Sequence, residues 1–421
     1  MKPWILPIFS LILGGCGDGG DPVEPVANAC DPAVAGTICT IAGNGQNGYD
    51  GDDPIPALKA RMSLPQDALR ASDGTLYILD WNNHRVRSLG DDGILRHVVG
   101  RGELGGTLDD PANSDLNHPT GLLLSPDERT LLVSAWHNSK IRAVDLETRE
   151  ITDECGDGRR AYFGDETSAK TASLDLPTSI VYDPDGNLVI LDQANQVIRS
   201  VDAEGVIHRI AGLCVTDQSV ACTDETPLVA CPMGSGKFTC GDPATECAKP
   251  CNPRYGAGSA LDFRMAQPFG QSADPGGRMV YDPEGNLLFA DTANHVVRRI
   301  DTEGNVEVVA GVEPVDDVPQ SGTSPDGELA TATLLNRPTD LALAQDGTLY
   351  VSDVYNHCIR AFTTGGTVRT VAGRCGEKGF SGDGAAPENA LLKFPYGIEL
   401  SGNALYVADT GNNRIRVVNL E

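Results

Sequence analysis

A pattern of three polar residues recurs along this chain and limits the folds that it can adopt. Each copy has an Asp after an extended apolar run, an Asn three residues later and an Arg four residues after that. The five complete copies begin at Asp80, Asp192, Asp291, Asp353 and Asp409. A sixth copy keeps Asn138 and Arg142 but has Ala135 in place of the Asp. Repetition at a nearly constant period is typical of architectures in which each unit packs mainly on its neighbours.

Each repeat has the pattern of four short β-strands. In the fifth repeat, apolar runs at residues 341–344, 348–353, 359–362 and 368–372 alternate with turns at Gly347, Asn356 and Gly365-Gly366. Turn signals at this spacing are typical of antiparallel strands, and the 48 Gly and 27 Pro of the chain supply many turns. Four-stranded units that cannot bury both faces alone must stack around an axis, which predicts a β-propeller.

The two ends of the chain predict the number of blades. The last repeat stops after its third strand, Arg414–Leu420, whereas a single strand-like segment, Thr37–Gly43, precedes the first repeat. That segment ends like the fourth strands of other repeats, such as Val371-Ala372-Gly373. We therefore expect an all-β fold over residues 37–421, a six-bladed β-propeller of four-stranded antiparallel blades. The N-terminal strand completes the last blade, which closes the ring and leaves no open edge.

The repeats resemble a known family. Leu405–Arg416, with the sequence LYVADTGNNRIR, is very similar to the NHL-repeat consensus, and the loops Gly379–Gly384 and Gly48–Asp52 resemble the Ser-Gly-Asp-Gly segments of bacterial NHL proteins. The resemblance covers nearly everything from Thr37 onward except one insertion, and it implies a six-bladed propeller. It does not fix a function, because NHL propellers are mostly binding scaffolds and include some lyases.

The first 36 residues are expected to lie outside the fold. Residues 1–15 have the charged start and short apolar run of a secretory signal. The ending Leu13-Gly14-Gly15-Cys16 resembles a bacterial lipobox, which implies a lipidated Cys16, although a chance Cys in an ordinary signal is the alternative. Residues 16–36 are expected to form a flexible tether. These features predict a lipid-anchored protein of the bacterial cell envelope, at the outer membrane.

The charge of the chain limits its partners. The formal net charge is −27 and the isoelectric point is near 4.5. Nucleic acids and anionic lipids favour Lys and Arg, so we expect neither as a direct partner, and we expect membrane contact only through the N-terminal lipid.

The 12 cysteines of an exported chain predict disulfides. Half of them lie in an insertion at residues 213–261, between the third and fourth blades: Cys214, Cys222, Cys231, Cys240, Cys247 and Cys251. Cys358 with Cys375 and Cys30 with Cys39 are further candidate pairs. Cys155 is then left over, and its pairing with Cys214 stays open.

Candidate binding residues are those that depart from the repeat. Trp81 and Trp136 follow the Asp position in the first two repeats, where the others have Gln, Thr or Val. With His84 and His137 nearby, they predict an exposed aromatic platform for a glycan or a protein partner. The alternative is that each indole covers the edge of its own blade.

Asp67 and Asp340 are the candidate metal ligands. They stand two residues after the repeat proline, where the innermost strand should meet the mouth of the central channel. Further acidic residues lie in the loops between blades, and carboxylates around a pore suit Ca²⁺, which makes Ca²⁺ the candidate cofactor. Solvated turns are the alternative explanation.

The sequence favours a non-catalytic binding scaffold. It contains no Gly-x-Ser-x-Gly elbow, no His-Glu-x-x-His and no phosphate-binding loop between a strand and a helix. One alternative is a Ca²⁺- or Zn²⁺-dependent lyase or hydrolase with its site at the channel mouth. The other is a purely structural subunit of an envelope assembly.

Overall fold

The six repeats fold into six antiparallel blades, as predicted. A computed structural model describes residues 30–51, 54–106, 114–213, 229–230, 238–239, 259–268, 273–316 and 318–420. Each blade sheet contains four main strands, which follow one another outward from the channel. The all-β, six-bladed propeller expected from the repeat is therefore confirmed.

The blades are numbered along the chain, with strands 1 to 4 running from the channel outward. Blade 1 consists of Asp67–Arg70, Leu76–Asp80, Arg85–Leu89 and Ile94–Val99. Blade 2 consists of Pro119–Leu124, Thr130–Ala135, Lys140–Asp145 and Ile151–Cys155. Blade 3 consists of Pro177–Tyr182, Leu188–Asp192, Val197–Val201 and Val206–Ala211. Blade 4 consists of Met279–Tyr281, Leu287–Asp291, Val296–Ile300 and Val306–Ala310. Blade 5 consists of Pro338–Leu343, Leu349–Asp353, Cys358–Phe362 and Arg369–Ala372.

Blade 6 combines the two ends of the chain. Its first three strands are Pro395–Ser401, Ala404–Asp409 and Arg414–Asn419, and its fourth strand is Thr37–Ala42. The N-terminal strand runs antiparallel to Arg414–Asn419, with Cys39 opposite Val417. The predicted closure of the ring is thus confirmed.

Short elements complete the described chain. A 3₁₀ turn joins strands 2 and 3 of every blade: Trp81–Asn83, Trp136–Asn138, Gln193–Asn195, Thr292–Asn294, Val354–Asn356 and Thr410–Asn412. Four further 3₁₀ turns lie between blades: Ala57–Lys59, Ala169–Thr171, Ala330–Ala332 and Pro387–Asn389. Two-residue strands are Ile55–Pro56, Thr167–Ser168, Val229–Ala230 and Phe238–Thr239. No helix among the described residues has the length and apolar character needed to cross a membrane.

The hydrophobic core lies between adjacent blades rather than inside each one. Ile359 of blade 5 and Leu405 of blade 6, for example, belong to one buried cluster, and Leu79 of blade 1 shares another with Val133 of blade 2. Burying one such aliphatic side chain contributes about 1.5–3 kcal/mol. Each unit therefore depends on its neighbours, which is why the sequence repeats.

Several sequence predictions fall on residues outside the described ranges. They are the signal at residues 1–15, the lipidation of Cys16 and the six cysteines of the insertion. Of the expected tether, residues 30–36 are described, and the Cys30–Cys39 disulfide fixes this part to blade 6. Residues 30–36, which the sequence assigned to the tether, are therefore attached to the propeller.

Candidate functional site on the loop-rich face

The loop-rich face of the propeller is built from two kinds of segment. One is the 3₁₀ turn between strands 2 and 3 of each blade, and the other is the connection from strand 4 to the next blade. The opposite face carries the turns between strands 1 and 2 and between strands 3 and 4. Trp81, His84, Trp136 and His137 lie in or directly after the 3₁₀ turns, and the channel opens beside them.

The repeated Asp and Asn hold each turn to the preceding connection. In blade 5, Asp353 Oδ1 accepts a hydrogen bond from the backbone N–H of Asn336 at 2.7 Å, and its Oδ2 accepts one from Asn356 Nδ2 at 2.8 Å. The same Asn356 amide donates to the Gly322 carbonyl at 2.6 Å. These residues serve the fold, because their side chains bond the backbone of the neighbouring segments.

Blade 2 replaces the missing carboxylate with an amide. Because Ala135 has no acceptor, Asn138 Oδ1 accepts the hydrogen bond from the backbone N–H of Asn117 at 2.8 Å. Asn138 Nδ2 still donates to a connection carbonyl, that of Gly105. The departure at Ala135 is therefore compensated locally and does not mark a reactive site.

Among the described contacts, the repeated Arg of four blades is buried beneath an aromatic residue of the connection. In blade 6, Arg416 Nη2 lies 2.7 Å from Asp383 Oδ1, and its guanidinium lies 5.2 Å from the Phe380 ring centre. Arg199, Asp165 and Tyr162 form the same group in blade 3. Asp165 and Asp383, two of the acidic loop residues considered for Ca²⁺, thus neutralise buried guanidinium groups.

His84, His295 and His357 link adjacent blades. Each follows a 3₁₀ turn, and its Nδ1 accepts a hydrogen bond from the backbone N–H that precedes the first strand of the next blade. The donors are His118 at 3.3 Å, Arg337 at 3.0 Å and Phe394 at 3.3 Å. Burial lowers the pKa of His84 to about 4, so its imidazole is neutral at pH 7. His84 Nδ1 therefore serves the contact between blades, and a role of His84 in ligand binding stays a prediction.

The channel mouth holds an arginine where a metal was considered. Arg278 of blade 4 donates from Nη1 to Asp67 Oδ2 of blade 1 at 2.8 Å, across the channel. Asp67 and Asp340 also accept backbone hydrogen bonds from the next blades, at 3.1 Å from Leu122 and 2.8 Å from Ile398. Burial raises the pKa of Asp340 to about 7, and Arg278 opposes this rise.

These contacts do not fit the predicted metal site. A cation bound by Asp67 and Asp340 would have to displace the guanidinium that already compensates them. Within the described part of the chain, no three His, Cys, Asp or Glu side chains are grouped to hold a metal ion. Asp67 and Asp340 lie at the channel, and the sequence did not reveal Arg278 as their partner.

Trp81 and Trp136 come together, but not as an exposed platform. Their ring centres are 6.3 Å apart, yet Trp136 is only 1 % exposed and Trp81 is half-buried. The equivalent Thr292 donates to the carbonyl of Pro338 in the next blade at 2.8 Å. The first residue of the turn is thus directed at the neighbouring blade rather than at solvent, which corrects the predicted exposure.

Two histidines complete a closed group of four rings, here called the aromatic cluster: Trp81, His118, His137 and Trp136. Ring centres are 4.7 Å apart for Trp81–His118, 4.9 Å for His118–His137 and 4.4 Å for His137–Trp136. Burial lowers the pKa of His137 to about 4. Sequence reasoning missed His118, although its place directly before Pro119, a position next to the channel mouth in other repeats, was a usable signal.

A second aromatic group lies on blades 5 and 6 of the same face. Tyr355 is 38 % exposed, and its ring centre lies 5.3 Å from that of Phe394. The Arg337 guanidinium lies 5.1 Å from the Tyr355 ring centre, and Asp274 accepts hydrogen bonds from both side chains at 2.9 and 2.8 Å. The first residues of the turns singled out Trp81 and Trp136 in the sequence. Tyr355 did not stand out there because it is the second residue of its turn.

Two predicted disulfides are present in the structure. Cys30 is bonded to Cys39 and Cys358 to Cys375. Cys155 is unpaired and buried in the described structure, and burial raises the pKa of its thiol to about 12. A thiol with this pKa is unreactive at neutral pH.

The family model for the Teneurin NHL domain matches residues 284–419, which include three copies of the Asp–Asn–Arg pattern. This match and the six blades support an NHL-repeat β-propeller. Teneurin-1 of Gallus gallus is 24% identical to it over 393 residues, which span 86% of this chain and 13% of teneurin-1. Protein SUPPRESSOR OF QUENCHING 1, chloroplastic, of Arabidopsis thaliana is 25% identical over 320 residues, 75% of this chain and 26% of that protein. The NHL propeller thus corresponds to a small part of these relatives.

Solved structures share its architecture. A protein of unknown function from Bacteroides thetaiotaomicron superposes with a TM-score of 0.59 at 16% identity, covering 90% of this chain and 74% of that chain. An auxiliary nutrient binding protein from the same species superposes with a TM-score of 0.56 at 15% identity, covering 90% of this chain and 75% of that chain. At these identities the likeness shows the fold alone.

Proposed function

We propose that the NHL propeller is a non-catalytic binding scaffold displayed on the bacterial cell envelope, and that it binds a protein or glycan partner through its loop-rich face. The observation that carries this proposal is the set of aromatic side chains around the channel mouth, at positions where the fold accepts small residues. Large aromatic residues and Arg are the side chains that most often dominate the energetics of interfaces.

The other blades show what the fold requires at these positions. Where blade 5 has Tyr355, blades 3 and 4 have Ala194 and Ala293. Phe394 stands where Leu64 and Leu176 stand before blades 1 and 3, and Trp81 stands where blades 4 and 6 have Thr. Because the propeller forms with the smaller residues, the aromatic ones are available for a role beyond folding.

The rival functions have less support. The proposed metal-dependent lyase or hydrolase loses its candidate site, since Arg278 already pairs with Asp67. The Bacteroides proteins of the same fold that are named auxiliary nutrient binding proteins are consistent with a binding role for this propeller.

Display on the envelope depends on Cys16. We expect the processed protein to sediment with membranes and to be extracted by detergent, because several acyl chains on one residue anchor firmly. A Cys16→Ser variant should appear in the soluble fraction with an unchanged melting temperature. Equal membrane association of this variant would contradict the lipid anchor.

Photo-cross-linking in cells tests the binding face. A photoreactive amino acid is placed at Tyr355 on the loop-rich face, and at Thr364 on the opposite face as a matched exposed control. We expect a discrete adduct from position 355 and none from position 364. Adducts of equal yield from both positions, or none from position 355, would contradict binding through the loop-rich face.

A further inference from the structure

The aromatic cluster contains three buried ring nitrogens without hydrogen-bond partners. They are Trp81 Nε1, Trp136 Nε1 and His137 Nε2. An indole nitrogen can only donate a hydrogen bond, and a buried donor without an acceptor is unfavourable, so such groups are rare in folded proteins. Three of them on contacting rings indicate that an acceptor from outside the described chain belongs here.

The charged groups around the cluster favour a negative acceptor. The positive charge of Arg85, from strand 3 of blade 1, lowers the pKa of His84. The positive charge of Arg160, from the connection after blade 2, lowers the pKa of His137. Burial is the main cause that lowers the pKa of both imidazoles to about 4, and His118 and then these guanidinium groups lower it further. Asp175 partly offsets them, since it pairs with Arg160 at 2.6 Å. Two guanidinium groups thus lie near the cluster in a chain whose net charge is −27, and nearby positive charge favours an anion over a cation.

Both guanidinium groups already have hydrogen-bond partners within the protein, and this limits the kinds of anion that the site suits. Arg85 donates to the carbonyls of Asn83 and Arg101 at 3.1 Å each, and Arg160 is held by Asp175. A phosphate dianion is usually bound by direct contacts from Arg or Lys. The available donors are uncharged N–H groups, and these suit a singly charged carboxylate better.

We propose that the aromatic cluster binds the carboxylate group of a small ligand, with the two indole N–H groups and His137 Nε2–H donating to its oxygens. Trp136 is buried, so the carboxylate reaches the cluster beside the half-buried Trp81, His118 and His137, which contact the rest of the ligand. This proposal rests on the proposed scaffold function and names a ligand chemistry for one part of the loop-rich face.

Tryptophan fluorescence reports on this site directly. The chain has three tryptophans, so in a full-length Trp4→Phe protein only Trp81 and Trp136 emit. The protein is titrated with sodium acetate and sodium glucuronate, and with glucose and sodium chloride as controls, at about pH 7.5 and about pH 5.5. We expect a saturable change with the two carboxylates only, and tighter binding at the lower pH because a bound anion favours the imidazolium. Tighter binding of glucuronate than of acetate would identify a sugar acid as the source of the carboxylate.

Two variants test the donors. Trp136→Phe keeps an aromatic side chain, though a smaller one, and removes the N–H, and His137→Ala installs the residue that blades 3 and 4 carry at this position. Each should weaken carboxylate binding by about tenfold or more, whereas His357→Asn on blade 5 should not. The absence of a saturable response at both pH values, or unchanged affinity in both variants, would overturn the proposal. A partner captured at Tyr355 without carboxylate binding would leave the scaffold function intact and reject this site.

Discussion

At the scale of single residues, one backbone N–H in five of the six connections donates to the side chain that follows the 3₁₀ turn. In blades 1, 4 and 5 a His accepts this hydrogen bond, whereas Gln196 accepts it from Gln267 at 2.7 Å and Asn413 from Leu64 at 2.9 Å. Ser139 of blade 2 is shorter, and its Oγ has no partner. Different residues are therefore interchangeable here as long as they present an acceptor of sufficient reach.

A His84→Asn variant should change the pH dependence of stability. The folded pKa of His84 is about 4, below its usual value near 6.5, so the unfolded state binds the proton more readily between these values. The stability that neutral His84 provides is therefore fully present above pH 6.5 and is lost as the pH falls towards 4. Asn accepts the same hydrogen bond without titrating, as Asn413 does.

We expect the two proteins to have similar free energies of unfolding at pH 7.5, and the variant to be more stable by about 2 kcal/mol at pH 5. Urea unfolding monitored by circular dichroism at both pH values measures this difference. A difference that does not depend on pH would show that His84 is not held neutral by the fold.

Some properties of single residues could be predicted from the sequence and others could not. The structural roles of the repeated Asp, Asn and Arg could be predicted, because six copies spread around a ring cannot converge on one ligand. The burial of Trp136 could not, since it depends on the direction in which a turn places its first side chain. His118 became part of the site only through the packing of blade 2 against blade 1.

At the scale of elements, the N-terminal strand is the piece on which closure depends. Strand counting predicted it from the unmatched strands at the two ends of the chain, without knowledge of any side-chain contact. In the structure, Ile38 is fully buried in the core between blades 5 and 6, and Cys39 packs against Val417. The first and last parts of the chain thus depend on each other for folding.

Removal of residues 1–42 should abolish cooperative folding or produce oligomers. Without Thr37–Ala42, the strand Arg414–Asn419 becomes an open edge that can pair with another molecule. Removal of residues 1–29 alone serves as the control and should leave a monomer with a sharp thermal transition. Size-exclusion chromatography and thermal unfolding distinguish these outcomes, and a monomeric, cooperatively folded 43–421 fragment would contradict the closure argument.

At the scale of the whole molecule, Arg278 connects blades that are distant in the sequence. It reaches Asp67, on the blade across the channel, and also neutralises Asp340 of blade 5. The sequence could not predict this group, because its three members meet only when the ring has closed. The acidic pair therefore suggested a metal site, whereas the cation that compensates it is part of the chain.

An Arg278→Leu variant should be destabilised by about 3 kcal/mol at pH 7.5, because it leaves buried carboxylates without their cation. The folded pKa of Asp340, about 7, already lies above its usual value, so protonation favours the folded state as the pH falls through 7. The loss should therefore shrink at pH 5, which urea unfolding at the two pH values measures. A loss that is equal at both pH values would contradict the role assigned to Arg278.

The central claim is that partner binding depends on the aromatic residues of the loop-rich face, which the fold itself does not require. It is tested most directly by the affinity of the cross-linked partner for two matched variants. The first combines Trp81→Thr, Tyr355→Ala and Phe394→Leu, each taken from an equivalent position of another blade. The second combines Val34→Ala and Thr364→Ala, at exposed positions of the opposite face.

The account predicts that the first variant loses at least about 2 kcal/mol of binding free energy, as is typical when several dominant contacts are removed, while the second binds like the wild-type protein. Both variants should unfold cooperatively by circular dichroism. Wild-type affinity in the loop-face variant, or an equal loss in both variants, would contradict the claim.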